Sequence, residues 1–184
     1  MGERRIESVL YKGIINKTLT LAYVFFLNMD GKYKMIEEDN NGNIHIYPSY
    51  LIQINPGYPR PRFFISSRQY FAFTAMFDKT VKLIQENLFE LFPNVSRSEF
   101  EIDEGTLNRF QTEKALCTAN LVMMPAVYVD SANQCYPGLN ISSTDKSGSI
   151  TIPLEDAIAI NQLLKVFDPN TYGLNILSQL IKIE

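Results

Sequence analysis

Few residues in this chain could carry chemistry, and their spacing narrows the choice further. His45 is the only imidazole, so a metal cluster built on several histidines is excluded and any Ser/His/Asp relay would rest on that one side chain. It stands between Ile44 and Ile46 in an alternating stretch, the position of an outward residue on a strand. Cys117 and Cys135 lack the two-residue spacing of a metal or redox pair and are too few for a disulfide framework. They read as small, buried or half-buried thiols. Glu37-Glu38-Asp39 and Asp103-Glu104-Gly105 read as charged edges and turns, and Asp130 to Asn133 lacks the alternating oxygen ligands and closing glutamate of a calcium loop. Glycine-rich phosphate loops, a nucleophile elbow and a zincin helix are all absent as patterns. The expected activity is therefore non-enzymatic, with no cofactor, no metal and no catalytic residues.

What remains is a set of cations placed beside aromatic rings: Tyr11-Lys12, Lys32-Tyr33-Lys34 and Tyr58-Pro59-Arg60-Pro61-Arg62. Lysine and arginine neutralise phosphates while rings stack on unpaired bases, at about 1–3 kcal/mol per base. The candidate nucleic-acid-binding residues are accordingly Lys12, Lys32, Lys34, Arg60, Arg62, Tyr11 and Tyr58. Plainer readings stand beside this one. Successive residues of a flat strand point to opposite faces, so Lys32 and Lys34 can be solubilising edge residues with Tyr33 turned into the core. Likewise, the prolines at 56, 59 and 61 can simply end one strand and carry the chain to a helix.

Charge is compatible with an anionic partner without demanding one. Residues 1–80 carry ten Lys/Arg against seven Asp/Glu, and residues 81–184 seven against thirteen, so a net charge of −3 conceals a basic first part and an acidic second. This is far from the strongly basic footprint of a dedicated duplex binder. The 184 residues, 46% apolar and 20% charged, suffice for one full domain over 1–184 or two intertwined halves at about 1–93 and 98–184. No apolar run approaches the roughly 18 residues of a membrane span, so the chain is expected to be soluble and cytoplasmic, without a membrane partner.

The elements that must position these residues read as two meanders, each followed by a helix. Thr18 to Leu27 is β-branched and aromatic on both faces, which marks a central strand. Asp30-Gly31 offers a hairpin turn with Lys32 to Glu38 as the return strand, and Asn40 to Asn43 offers a second turn before Ile44 to Tyr47, Tyr50 to Ile54 and Phe63-Phe64-Ile65. Ser66 and Gln69 fit a capping box. Tyr70, Phe73, Phe77, Val81, Ile84, Leu88 and Leu91 then recur at steps of three and four, predicting one helix over 67–91 ended by Pro93.

In the second part the strand-like segments are Phe100 to Ile102, Thr106 to Thr112, Ala115 to Met124, Ala126 to Val129, Leu139 to Ser143 and Ser149 to Ile152. Pro125, Pro137-Gly138 and Ser147-Gly148 read as turn signals between them. Pro153 is expected at the first helical position of a helix over 154–167, and a last helix is expected from Leu174 to Ile181. A shift of 87 residues brings Ile65 onto Ile152, Phe73 onto Ile160 and Phe77 onto Leu164 in apolar phase. The fold class expected is α+β, with two antiparallel meander-and-helix repeats.

This arrangement resembles the Whirly and Pur-alpha type of single-stranded nucleic-acid-binding fold, across nearly the whole chain but as architecture. Tyr11-Lys12-Gly13 is the nearest fragment to that family's lysine- and glycine-rich sheet motif. The resemblance implies sheets packed through their helices, a homo-oligomer formed on the helical side, single-stranded DNA or RNA as partner, and no enzymatic cofactor. Replication, recombination or transcription, including phage-encoded systems, is the setting it implies. The alternative expectation is a structural or assembly protein acting through self-association.

Overall fold

The computed structural model describes residues 4–27, 36–38, 40–41, 44–46, 49–54, 62–93, 102, 105, 121–143, 148–169, 171–172 and 175. In chain order the elements are β1 (Arg4–Lys12), β2 (Leu19–Leu27), β3 (Ile36–Glu38), β4 (Ile44–Ile46), β5 (Ser49–Ile54), β6 (Arg62–Ser66), α1 (Ser67–Glu86), α2 (Leu88–Leu91), β7 (Leu121–Val129), β8 (Cys135–Ser143), β9 (Ser149–Pro153) and α3 (Leu154–Val166). All sheets are antiparallel: four strands in the order β1-β2-β5-β6, a β3-β4 ribbon, and three strands in the order β7-β8-β9. The class is α+β, as the alternating and helical periods predict.

β2 is an inner strand, but its neighbours differ from those expected. The described part of the Lys32 to Glu38 segment is β3, and it pairs with β4 instead of returning along β2. β5 takes that place because it sets Ile54, Ile52 and Tyr50 opposite Leu19, Leu21 and Tyr23, whereas Ile36–Glu38 offers one apolar residue in three. β1, whose residues alternate too poorly to predict a strand, covers the other side of β2. A β-bulge between Val9 and Tyr11 leaves Leu10 and Tyr11 sharing the place opposite Leu21, both partly buried against the core.

Two turn signals of the second part belong inside strands. Pro125 lies within β7, an edge strand where a missing N–H is tolerated. Pro137 sits in the stretch of β8 that has only β7 beside it, since pairing with β9 stops at Gly138. A Cβ on Gly138 would come within 2.8 Å of the Ile152 carbonyl oxygen, so that glycine serves close strand approach. The actual reversal is Asp130 to Gln134: Asp130 Oδ1 accepts from the N–H of Ala132 and Gln134, and Asn133 takes the left-handed φ of 59°.

α1 follows β6 without a break and buries Tyr70, Phe73, Phe77, Val81 and Ile84 along one face, as the three-four spacing requires. The single helix expected to 91 is interrupted at Asn87, whose side-chain N–H donates to the Leu83 carbonyl at 2.8 Å before α2 begins. Pro153 stands one place earlier than expected, at the N-cap of α3. α1 packs against α3 and touches β6, β7 and β8, while α3 lies on β8 and β9. The core thus joins Leu19, Leu21, Tyr23 and Ile65 of one sheet to Met123, Leu139, Ile141, Ile150 and Ile152 of the other through the two helices.

β6 with α1 and β9 with α3 have the same offset. Arg62 and Ser149 begin the strands and Ser67 and Leu154 the helices, 87 residues apart in both cases. At that offset Ile65 and Ile152, Phe73 and Ile160, and Phe77 and Leu164 are all buried. The capping pair Ser66 and Gln69 has side chains outside the described set. So do Asp30-Gly31, most of the segments between Pro93 and Asn120, Cys117, and nearly all of the expected Leu174 to Ile181 helix.

Candidate functional site

The register of the four-stranded sheet assembles a surface that no single segment reveals. Lys12 pairs with Thr20, Thr20 with Gln53, and Gln53 with Arg62, so these four positions form one rung across the whole sheet. The next rung on the same face is Val9, Ala22, Leu51 and Phe64. Beyond it, Glu7, Val24, Ser49 and Ser66 form a third, and Arg5 and Phe26 belong to a fourth. Because residues alternate along a strand, this face is opposite the one carrying Leu19, Leu21 and Tyr23 to the core. It holds three cationic positions, Arg5, Lys12 and Arg62, against one acidic position, Glu7. Lys12 is exposed, Val9 is 47% exposed and Thr20 is half-buried, while Ala22, the shortest side chain among them, is fully buried.

Tyr11 and Lys12 are neighbours in sequence but diverge in space. Lys12 belongs to the outer face, whereas Tyr11 is on the core side and its hydroxyl donates to Asp156 Oδ1 at 2.6 Å. Asp156, fully buried at the start of α3, also accepts from the backbone N–H of Ile14 at 2.6 Å and of Asn16 at 2.9 Å. A buried carboxylate with three donors is satisfied, and it ties the β1–β2 loop to the second half of the chain. Gly13 is required here, because a Cβ would collide with the Asn16 carbonyl oxygen. Of the remaining sequence candidates, Arg62 has a described backbone position only, and Lys32, Lys34, Tyr58 and Arg60 lie outside the described residues.

Two further tyrosines hold the end of α3. Tyr70 donates to the Leu164 carbonyl at 2.6 Å, with that of Phe167 at 3.1 Å, satisfying acceptors that a helix C-terminus leaves open. Tyr23 donates to the Pro169 carbonyl at 3.0 Å. Burial, reinforced by the carboxylate of Asp168, pushes the Tyr70 phenol up to about 12. Burial also raises Tyr23, aided by Tyr172, and raises Tyr11, aided by the hydrogen bond to Asp156. These hydroxyls are structural donors held in the neutral form.

On the helical side, Tyr70, Phe71, Thr74, Ala75, Leu164 and Phe167 line an open groove of about 350 Å³, and Asp78 and Lys165 line it with them. Asp78 accepts from Asn161 at 2.9 Å and pairs with Lys165 at 2.7 Å and Lys82 at 2.8 Å. Those partners, Asn161 foremost, hold its carboxyl well below the usual range. Phe71 is 77% exposed. Among the described residues no group of three or more His, Cys, Asp or Glu could hold a metal, and no helix is long and apolar enough to cross a membrane. Cys135 is a free, half-buried thiol at the start of β8.

Sequence reading missed Arg5, Phe26, Phe64 and Asp156. Alternation along β6 separates Phe63 from Phe64, but which one faces outward depends on the pairing register. Asp156 left the signal of an acid two positions into a helix whose next residue, Ala157, is buried. No family model, curated protein or solved structure matches this chain.

Proposed function

We propose that this protein is a non-enzymatic binder of single-stranded nucleic acid, serving DNA replication, recombination or transcription, and that the outer face of the four-stranded sheet is its binding surface. One observation carries the reading: Arg5, Lys12 and Arg62 share a sheet face with the positions of Phe26 and Phe64. Cations neutralise phosphates there and aromatic positions offer planes to unpaired bases, which a duplex keeps stacked. Lys32, Lys34, Arg60 and Tyr58 remain sequence candidates for the same partner in this reading. The common offset of β6-α1 and β9-α3 supports an internal repeat whose second copy is the acidic one.

The test is a fluorescence titration of a labelled single-stranded oligonucleotide against salt, with unlabelled duplex as competitor. Each cation removed by Lys12→Gln or Arg62→Gln should lower the slope of log affinity on log salt by ~0.7 on a single strand. Wild-type protein that fails to bind a single strand at low ionic strength overturns the proposal.

A second reading, self-association, has its own observation. The aromatic stripe of α1 is consumed by the core, but Phe71 at 77% and Val166 at 85% exposure remain open on the helical side. Sedimentation of wild type and Phe71→Ser tests it: a concentration-dependent dimer abolished by the substitution supports this reading, and a monomer at all concentrations removes it.

A further inference from the structure

We propose that the groove between α1 and α3 is a binding site for a small aromatic carboxylic acid, its rings held by Phe71 and Phe167 and its carboxylate by Lys165. Tyr70 and Leu164, each 4% exposed, form the floor. Phe71 stands on the α1 side and Phe167 at the end of α3, and both rings lie edge-on to Tyr70, with centroids 5.7 Å and 6.4 Å away. From Phe71 to Asp78 the helix rises about 10 Å. A volume of about 350 Å³ lies in the range of small-molecule sites.

Charge sets the sign of the ligand. Asp78 is paired with Lys82 at 2.8 Å and with Lys165 at 2.7 Å, so one carboxylate faces two ammonium groups and that end of the groove is positive. An ammonium carries three N–H donors, and the bond to Asp78 uses one of those on Lys165. Asp168 acts on Tyr70 at the opposite end, which directs a bound carboxylate toward Lys165. A peptide main chain would find few partners here, because the backbone groups are spent within the helices and the carbonyls of Leu164 and Phe167 accept from Tyr70. An aromatic acid needs only ring faces and one cation.

Added to the full chain, 2-naphthoate should bind saturably with a dissociation constant of about 1 mM or tighter. It should shift the methyl resonances of Thr74 and Ala75, which line the groove. The matching amide and the naphthylmethylammonium ion keep the rings while removing or reversing the charge, and each should bind roughly 3- to 10-fold more weakly. Lys165→Gln should erase the preference for the acid over the amide, and Lys165→Arg should retain it. Asp78→Asn, which removes the competing carboxylate, should strengthen binding of the acid. Phe71→Ser should weaken acid and amide alike by roughly 2- to 10-fold, the range for one lost aromatic contact. Naphthoate that does not saturate, shifts resonances elsewhere, or binds no better than its amide overturns the inference. So does tighter binding of a peptide ending in a phenylalanine carboxylate, which would give the groove to a protein C-terminus. A dimer that Phe71→Ser abolishes and excess naphthoate leaves intact would give it to a second copy and overturn the inference equally. The sheet face is read separately by the oligonucleotide titration, so failure here leaves the nucleic-acid proposal standing.

Discussion

At the scale of single residues, the side chains that matter most are polar groups placed where water is excluded. Asp156 is the clearest case, a fully buried carboxylate accepting from Tyr11, Ile14 and Asn16. Asp156→Asn keeps the shape but turns an N–H₂ group toward existing donors, so at least one buried donor loses its acceptor. The expected cost is about 2–4 kcal/mol, read from urea unfolding; a midpoint equal to wild type would show that Asp156 is not the clasp described. The buried phenols make a prediction of opposite chemistry. Tyr11, Tyr23 and Tyr70 have folded-state values raised above the ordinary phenol near 10. A raised acid keeps its proton in the folded state after the unfolded chain has released it. Their stabilisation is therefore complete below pH ~10 and is lost as the pH climbs from there through about 12 for Tyr70. Tyrosinate absorbance should show a late-titrating group that ionises together with loss of near-ultraviolet dichroism.

At the scale of elements, α1 and the two principal sheets each reduce to a period and a partner. The stripe of α1 ends in full burial at Phe77 and Ile84, and Phe77→Ala should cost about 3–5 kcal/mol through lost transfer energy and a residual cavity. A melting temperature unchanged from wild type would contradict that position in the core. On the opposite side of the same helix Phe71 is exposed, so Phe71→Ser should shift stability by no more than about 0.5 kcal/mol. The helix was legible because a 3.6-residue period needs only local sequence. The strands of the second sheet were less so. Pro125 and Pro137 are turn residues in most contexts, and only an edge position and a one-sided stretch of β8 make them tolerable in strands. β1 was missed because Arg4 to Lys12 alternates poorly, and its bulge shifts the phase at Leu10.

At the scale of the whole molecule, the two halves are held together by α1 against α3 and by the Asp156, Tyr23 and Tyr70 contacts that cross between them. Asp78 adds an acid-sensitive link, bonding Asn161 and Lys165 of α3 from its place on α1. Its folded-state carboxyl value is depressed, so its contribution is present above the ordinary carboxylate value near 4 and fades as the pH falls below it. Asp78→Asn should therefore lie below wild type in stability at neutral pH and converge on it in acid; a constant gap down to pH ~2 would refute the assignment. The sequence by itself determined the α+β class, the α1 stripe and the start of each principal helix to within a residue, because amphipathic periods and proline breaks act over a few neighbouring positions. Only tertiary structure decided that β5 and not β3 lies beside β2, that Phe64 and not Tyr11 shares a face with Lys12, and that Asp156 is a clasp. Each of these depends on strand register or on contacts between residues far apart in the chain. A one-residue change of register exchanges the two faces of a strand, and nothing in the local composition records which face was chosen.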